Sequence, residues 1–152
     1  MIQRIQTLFL LASLCFVTPM FFAPIANLVY ESGDILSFNL AGFYLTNEGT
    51  TTCISRQYSL LIFGIFICIL NLIIIFMYRS RVLQLRLCIY NMLFLTGLVG
   101  VLLFVLYSLP NVRSVSFSMP AVFPVISIIL HYLAFRGIRR DEFMVQALSR
   151  LR

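Results

Sequence analysis

Residues 57–78, QYSLLIFGIFICILNLIIIFMY, and residues 87–107, LCIYNMLFLTGLVGVLLFVLY, are two apolar runs without a charged side chain. The segment between them, RSRVLQLR, carries Arg79, Arg81 and Arg86 and no acidic residue. A helix needs about 20 apolar residues to cross the roughly 30 Å hydrocarbon core of a bilayer. Arginine is costly inside that core. The pattern therefore predicts two membrane-spanning helices that are joined by a turn in water.

The composition of the chain is typical of a membrane protein. Of the 152 residues, 61% are hydrophobic and 11% are charged, and the mean hydropathy is +1.02, far from the values of soluble domains. We expect one domain over residues 1–152. The net charge of +6 comes from arginines at the ends of the apolar runs. A nucleic-acid-binding protein would place such charge along one folded surface, so we predict no nucleic-acid partner and expect contact with anionic lipid headgroups.

Two more apolar runs flank the central pair. We predict spans at about residues 6–28 and 119–135, an outer loop at 30–56 and a tail at 136–152. Pro19 and Pro24 should kink the first helix or end it early, because proline lacks the backbone donor that a helix needs. No Gly-Pro stop separates the last span from the tail, so one continuous helix is expected to run out of the membrane.

The outer loop contains a strand pattern. Leu36, Phe38 and Leu40 alternate with polar or small residues, as in a half-buried strand. We predict a β-hairpin or three-stranded meander at residues 35–54, with Phe38 and Leu40 facing the helix ends. The predicted fold class is an all-α membrane protein. It would be a four-transmembrane-helix bundle with a small β-hairpin in the first outer loop and a cytoplasmic C-terminal helical extension.

The arginines predict the orientation of the spans. Cytoplasmic loops of membrane proteins carry an excess of lysine and arginine. Nine arginines would lie on one side and two, Arg56 and Arg113, on the other. Both termini are therefore expected in the cytoplasm of a multi-pass protein. The nine are Arg4, Arg79, Arg81, Arg86, Arg136, Arg139, Arg140, Arg150 and Arg152.

Three polar residues stand out inside the predicted spans. At 1.5 Å per residue, Asn71, Asn91 and His131 all fall in the cytoplasmic half of the membrane, at depths where they could meet. Polar groups at such positions are often functional. They also join helices, at about 0.6 kcal/mol each. We keep both interpretations of this possible intramembrane cluster, a structural one and one in proton or ligand handling.

The second set of candidate residues is charged and lies at the cytoplasmic side. The tail could remain a solvated helix, or it could dock onto anionic headgroups, a protein partner or the 79–86 loop. Docking onto the loop would require Asp141 and Glu142 to pair with its arginines. The possible partner or headgroup contacts are Arg79, Arg81, Arg86, Arg136, Arg139, Arg140, Asp141, Glu142, Arg150 and Arg152.

The sequence carries no recognisable catalytic motif. It has no Gly-rich phosphate loop, no nucleophile elbow and no acidic residue within a span, and its single histidine cannot ligate a haem from both sides. We predict no catalytic, cofactor-binding or metal-binding residues. The leading hypothesis is a non-enzymatic scaffold or accessory subunit of a membrane complex, with a membrane-protein partner or as a homo-oligomer. The alternatives are a small oligomeric transporter or channel, and a membrane thiol or quinone oxidoreductase, which would need a cysteine partner for Cys53.

The two ends of the chain carry a family resemblance. MIQRIQTLFLL at Met1–Leu11 and RGIRRDEFMVQALSRLR at Arg136–Arg152 resemble a family of small four-span inner-membrane proteins of Bacteroidetes, known only as a domain of unknown function. The typical tail of that family is matched at Ile138–Glu142 and Arg150–Arg152, and Ser149 replaces an aspartate. The resemblance implies a bacterial inner membrane and a periplasmic outer loop, and it implies no activity.

Overall fold

The chain forms helices at both ends and in the middle, with strands between them. The computed structural model describes residues 2–30, 35–47, 50–77, 80–109 and 112–150. Single 3-10 turns lie at Thr18–Phe21 and Met119–Val122. The elements of the described part, in chain order, are α1 Ile2–Val17, β1 Ala26–Tyr30, β2 Ile35–Asn39, β3 Gly42–Asn47, β4 Thr50–Arg56, α2 Tyr58–Phe76, α3 Arg81–Tyr107, β5 Val112–Phe117 and α4 Phe123–Arg150.

The strands correct the predicted fold class. They form one five-stranded antiparallel sheet in the order β4-β3-β2-β1-β5, so the all-α prediction is wrong and the fold combines a sheet with helices. The predicted hairpin is part of this sheet, as β2 and β3 pair from Leu36↔Leu45 to Asn39↔Gly42. Gly42 has φ +148° and lies against the backbone of Ser55, where a side chain would collide, which explains the glycine at this turn.

The first predicted span, 6–28, is too long by nearly half its length. α1 ends at Val17, the following 3-10 turn has Pro19 near its start, and β1 begins at Ala26. The early end that the prolines predicted is confirmed. Within β1, Ala26 and Leu28 are buried while Asn27 and Val29 are half-buried, the alternation of a strand. In a short apolar run, hydrophobicity alone does not separate strand from helix.

The fifth strand lies between the third and fourth helices, in the segment that joins the predicted spans at 87–107 and 119–135. β5 pairs with β1, with Ala26 opposite Phe117 and Leu28 opposite Val115. Its side chains from Ser114 to Phe117 are exposed. The partner that makes this segment a strand is therefore far away in the sequence, and no buried face marks it locally.

Three helices of the described chain are long and apolar enough to cross a membrane, at Tyr58–Phe76, Arg81–Tyr107 and Met119–Met144. The 16 residues of α1 extend only about 24 Å at 1.5 Å per residue, short of the hydrocarbon thickness. The predicted bundle of four full-length spans is thus corrected to three long helices and one shorter apolar helix. The predicted continuation of the last helix into the tail is confirmed, since α4 reaches Arg150 without a break.

The sheet covers one end of the helices. Strands β1 to β4 lie between α1 and α2 in the chain, and β5 lies between α3 and α4. The connection between α2 and α3 is at the opposite end of the helices. Phe38 and Leu40 are fully buried and belong to one core cluster with Leu60 and Leu106 of the helices. Gly64 of α2 leaves room for the side chains of Leu40 and Phe21, which a Cβ atom would strike. Sheet and helices therefore share one core cluster, and a second, smaller cluster around Leu10 and Ile74 lies among the helices alone.

Candidate functional site

The inside of the helical bundle contains polar side chains from all four helices. Each is at most 8% exposed. Within a helix they recur at spacings of four, seven and ten residues, so they share the inward face of each helix with the apolar core residues. The buried set is Gln6 and Ser13 of α1, Asn71 of α2, Gln84 and Asn91 of α3, and Ser127, His131 and Asp141 of α4.

His131 connects α4 to α3. Its Nδ1 atom lies 2.9 Å from the Ser127 carbonyl oxygen, and its Nε2 atom lies 2.8 Å from Nδ2 of Asn91. A carbonyl oxygen only accepts hydrogen bonds, so Nδ1 carries the proton and Nε2 accepts from the Asn91 amide. The arrangement fixes a neutral imidazole in one tautomer. The thiol of Cys88 donates to the His131 carbonyl oxygen at 3.6 Å and adds a weak second contact between these helices.

Ser13 connects α1 to two other helices. Its hydroxyl oxygen accepts from Nδ2 of Asn71 at 2.8 Å, and its carbonyl oxygen accepts from the Ser127 hydroxyl at 3.1 Å. Ser127 also accepts from His131 through its own carbonyl oxygen. Asn71, Ser13, Ser127, His131 and Asn91 therefore form one continuous hydrogen-bonded series, which we call the polar chain.

Two further contacts lie nearer the end opposite the sheet. Gln6 donates from Nε2 to Oδ2 of Asp141 at 2.6 Å and joins α1 to α4. Gln84 donates from Nε2 to the Ile74 carbonyl oxygen at 3.1 Å and joins α3 to α2. Polar side chains thus tie every helix to at least one neighbour.

Three buried oxygens of this interior accept no hydrogen bond from the described residues. They are Oδ1 of Asn71, Oδ1 of Asn91 and Oδ1 of Asp141. An unmet buried acceptor costs about 1–3 kcal/mol. Each of these oxygens is chemically able to accept from a proton donor or to face a cation.

The structure brings together part of the predicted cluster. Asn91 and His131 bond directly, whereas Asn71 reaches them only through Ser13 and Ser127. Sequence reasoning missed Gln6, Ser13 and Gln84. Gln6 and Ser13 are seven residues apart in an apolar helix, and that heptad spacing could have placed both on the inward face.

Asp141 lies inside the bundle. Docking of the tail onto the 79–86 loop, one of the alternatives from the sequence, would have required it to pair with the loop arginines, whereas the carboxylate is buried at 8% exposure and bonded to Gln6. It follows His131, Ala134 and Ile138 along the buried face of α4 at spacings of three and four, a continuation that the charge of the tail conceals.

The charged candidates line two grooves where α3 begins and α4 leaves the bundle. The large groove, about 620 Å³, is lined by Leu85, Arg136, Arg139, Arg140, Glu142 and Phe143. The small groove, about 460 Å³, is lined by Ser80, Arg81, Val82, Leu83, Arg86 and Glu142. Glu142 lines both grooves, so they adjoin. Arg79, Arg152 and the side chain of Arg150 lie outside the described part of the chain.

The remaining reactive groups are dispersed. Cys15 and Cys53 are exposed, Cys68 is half-buried and Cys88 is buried, and none is in a disulfide. Cys53 lies on β4, at the sheet end of the molecule. Within the described residues, no three His, Cys, Asp or Glu side chains come together as a metal site would require.

Comparison with known protein families finds a match over nearly the whole chain. A family model with the description "Domain of unknown function (DUF4293)" matches residues 2–151, nearly the whole chain. No curated protein matches this chain.

Proposed function

Since this chain belongs to the DUF4293 family, whose description assigns no activity, we propose a function from its geometry. The protein is a non-enzymatic scaffold or accessory subunit of a complex in a bacterial inner membrane. The resemblance of its two ends to a Bacteroidetes family is in keeping with that location. In this proposal α2, α3 and α4 cross the bilayer, and α1 packs beside them as a shorter apolar helix.

The outward faces of the long helices support a membrane location. Phe66 and Phe76 of α2, Phe104 of α3 and Ile129 of α4 are among the many large apolar side chains that are exposed. Continuous apolar surface of this extent is unusual on a soluble monomer. In a bilayer the same side chains contact lipid, and the polar side chains remain inside the bundle.

The observation that carries the scaffold proposal is the use of the buried polar groups. Asn91 bonds to His131, Asn71 to Ser13, and Gln6 to Asp141, in each case between two helices. Such bonds add about 0.6 kcal/mol each to helix association in membranes. These bonds fix the helices relative to one another, so the surfaces at the two ends of the bundle are held in a defined arrangement for a partner.

The sheet end offers one such surface. β4 is an edge strand, and its described side chains from Thr52 to Arg56 are all exposed. An edge strand has unpaired backbone groups to which another chain can add a strand. β5, the other edge, has similarly exposed side chains from Ser114 to Phe117.

The described arginines support the orientation. Arg81, Arg86, Arg136, Arg139 and Arg140 lie at the end with the α2–α3 connection, whereas Arg56 on β4 and Arg113 on β5 lie at the sheet end. By the positive-inside rule, the α2–α3 connection and both termini are cytoplasmic and the sheet faces the periplasm.

The test is purification of the tagged protein from its native membrane in mild detergent, with quantification of the co-purified proteins. A stoichiometric partner is expected. Ile54→Lys on β4 and Phe117→Lys on β5 are a matched pair, as their side chains are 59% and 55% exposed. Loss of the partner in only one of the two variants identifies the edge strand to which the partner binds. Recovery of the protein alone from native membrane contradicts the scaffold proposal.

A small transporter or channel is the second candidate, favoured by the unmet oxygens of Asn71 and Asn91 inside the bundle. It predicts proton or cation flux in liposomes that contain the purified protein and a pH- or ion-sensitive dye inside. Flux that Asn91→Leu abolishes, with the fold retained, would replace the scaffold by this function. Absence of proton or cation flux into these liposomes argues against the transporter or channel.

A further inference from the structure

We propose that the large and small grooves together bind one anionic phospholipid whose headgroup carries two phosphates, of the diphosphatidylglycerol class. The phosphates contact the arginines and the acyl chains lie against the apolar side chains beside them. The inference rests on the proposed membrane location but not on the scaffold role. It assigns a ligand to a surface formed by two neighbouring helices.

The large groove supplies one set of cations. Arg139 and Arg140 lie three and four residues after Arg136 on α4, so both neighbour it on the helix surface, and all three are exposed to a ligand on that side of the helix. Guanidinium groups bind phosphate oxygens with two parallel hydrogen bonds. Asp141 is buried and bonded to Gln6, so Glu142 is the acidic side chain among the lining residues of this groove, against three arginines.

The small groove supplies the second set. Arg81 and Arg86 lie in the first turns of α3, next to Ser80. Glu142 lines both grooves and separates the two sets of arginines. A single phosphate can contact one set, whereas two phosphates on a common headgroup can contact both and leave the carboxylate between them. The division of charge therefore favours a ligand with two phosphates.

Apolar side chains in the same grooves indicate a lipid and not a soluble anion. Phe143 is 73% exposed in the large groove, and Val82 and Leu83 are 48% and 44% exposed in the small one. A hydrated diphosphate gains nothing from these surfaces, but acyl chains remove them from water. Basic pockets between helices on the cytoplasmic side are the usual sites of headgroups with more than one phosphate.

The test measures lipid bound to the purified full-length chain by native mass spectrometry. The protein is placed in phosphatidylcholine nanodiscs that contain either phosphatidylglycerol or diphosphatidylglycerol at equal total negative charge. The expected result is preferential retention of one diphosphatidylglycerol molecule. The double variant Arg139→Gln/Arg140→Gln should weaken that binding about 25-fold, because each arginine near the surface raises the affinity for an anionic headgroup about fivefold.

The double variant Arg81→Gln/Arg86→Gln separates the roles of the two grooves. It should abolish the preference for two phosphates and leave binding similar to that of phosphatidylglycerol. Arg56→Gln is the control, since Arg56 is exposed at the sheet end and donates to the Tyr58 hydroxyl at 3.0 Å. All these arginines are exposed or half-buried outside the core, and circular dichroism checks that each variant is folded.

Three results would overturn the proposal. One is equal retention of the two lipids at matched charge, and another is a loss in Arg56→Gln as large as in the groove variants. The third is displacement of the lipid by inorganic pyrophosphate at equal concentration, which would assign a soluble diphosphate. The assay contains no partner protein, so failure of the scaffold proposal does not affect it. Extraction of the protein from membranes by alkaline carbonate would instead refute the membrane location.

Discussion

Gln6 and Asp141 are 135 positions apart in the chain, yet Nε2 of Gln6 donates to Oδ2 of Asp141 at 2.6 Å inside the bundle. The contact closes α1 onto α4 near the two ends of the chain. Gly137, one turn before Asp141, makes it possible, because a Cβ atom there would lie 3.0 Å from Cγ of Gln6. The tail thus begins as part of the folded core and not as a solvated extension.

Replacement of Asp141 tests this closure. Asp141→Leu leaves the Gln6 amide without its acceptor and should lower the free energy of unfolding by about 1.5–3 kcal/mol, the range for hydrogen bonds to charged groups. Asp141→Asn keeps an acceptor and should lose less. Thermal unfolding in detergent measures both. Equal midpoints for the wild type and the two variants would show that the contact adds nothing to stability.

Gly64 and Gly100 form a matched pair of helix glycines. A Cβ atom at Gly64 strikes the side chain of Leu40 and approaches Cζ of Phe21 to 3.1 Å, whereas nothing lies within 4 Å of a Cβ at Gly100. We expect Gly64→Ala to destabilise the protein by about 1–3 kcal/mol through overpacking. Gly100→Ala should be neutral or stabilising by up to about 1 kcal/mol, the gain in helix propensity. Unfolding midpoints that move in the same direction for both would contradict the close packing of sheet on α2.

The sequence predicted the parts of the fold that depend on local pattern. The long apolar runs predicted α2 and α3, and the alternation of Leu36, Phe38 and Leu40 predicted a strand whose inward residues are buried. Each signal lies within one element. Proline chemistry also predicted that α1 would end early.

The remainder of the fold depends on pairing between distant residues. From the sequence alone, β1 is the end of an apolar helix and β5 is a connection between helices. β1 becomes a strand because it pairs with β2 and β5, and β5 becomes one because it pairs with the distant β1. The same holds for the interior. Asn71, Asn91 and His131 were all expected at depths where they could meet, and Asn91 does bond to His131. Asn71 bonds instead to Ser13, a contact that depends on the position of α1. The sequence predicts how deep a side chain lies along the membrane normal. Which helix it faces depends on how the helices pack, and the sequence pattern of one helix does not contain that information.

Thiol labelling tests the orientation. Cys53 is exposed on β4, and Ser80 is exposed at the start of α3 at the other end of the molecule. In a Cys15→Ala background, a membrane-impermeant maleimide should label Cys53 in intact spheroplasts. A cysteine introduced by Ser80→Cys should react only after permeabilisation. The native Cys88 is a poor reporter because it is buried, and it should stay unlabelled in both cases. Labelling of the introduced cysteine in intact spheroplasts would reverse the proposed orientation.

The contact between Asn91 and His131 is suited to a double-mutant cycle. Each single change, Asn91→Leu or His131→Leu, leaves the other partner buried without its hydrogen bond, because Nδ2 of Asn91 and Nε2 of His131 lie 2.8 Å apart. Replacement of both removes the unmet groups together. The double variant should therefore lose less stability than the sum of the single variants, with a coupling of about 0.6 kcal/mol, typical of hydrogen bonds between membrane helices.

Thr96 provides the control for this cycle. Its hydroxyl donates to the Met92 carbonyl oxygen on its own helix at 2.9 Å, and the residue is exposed. Thr96→Val combined with His131→Leu should be additive, since the two side chains share no hydrogen bond. Unfolding of each variant in the same detergent gives the energies. Additivity in the Asn91–His131 cycle would mean that the bond does not hold α3 to α4. Loss of partner binding in His131→Leu at unchanged stability would assign that side chain a role beyond packing.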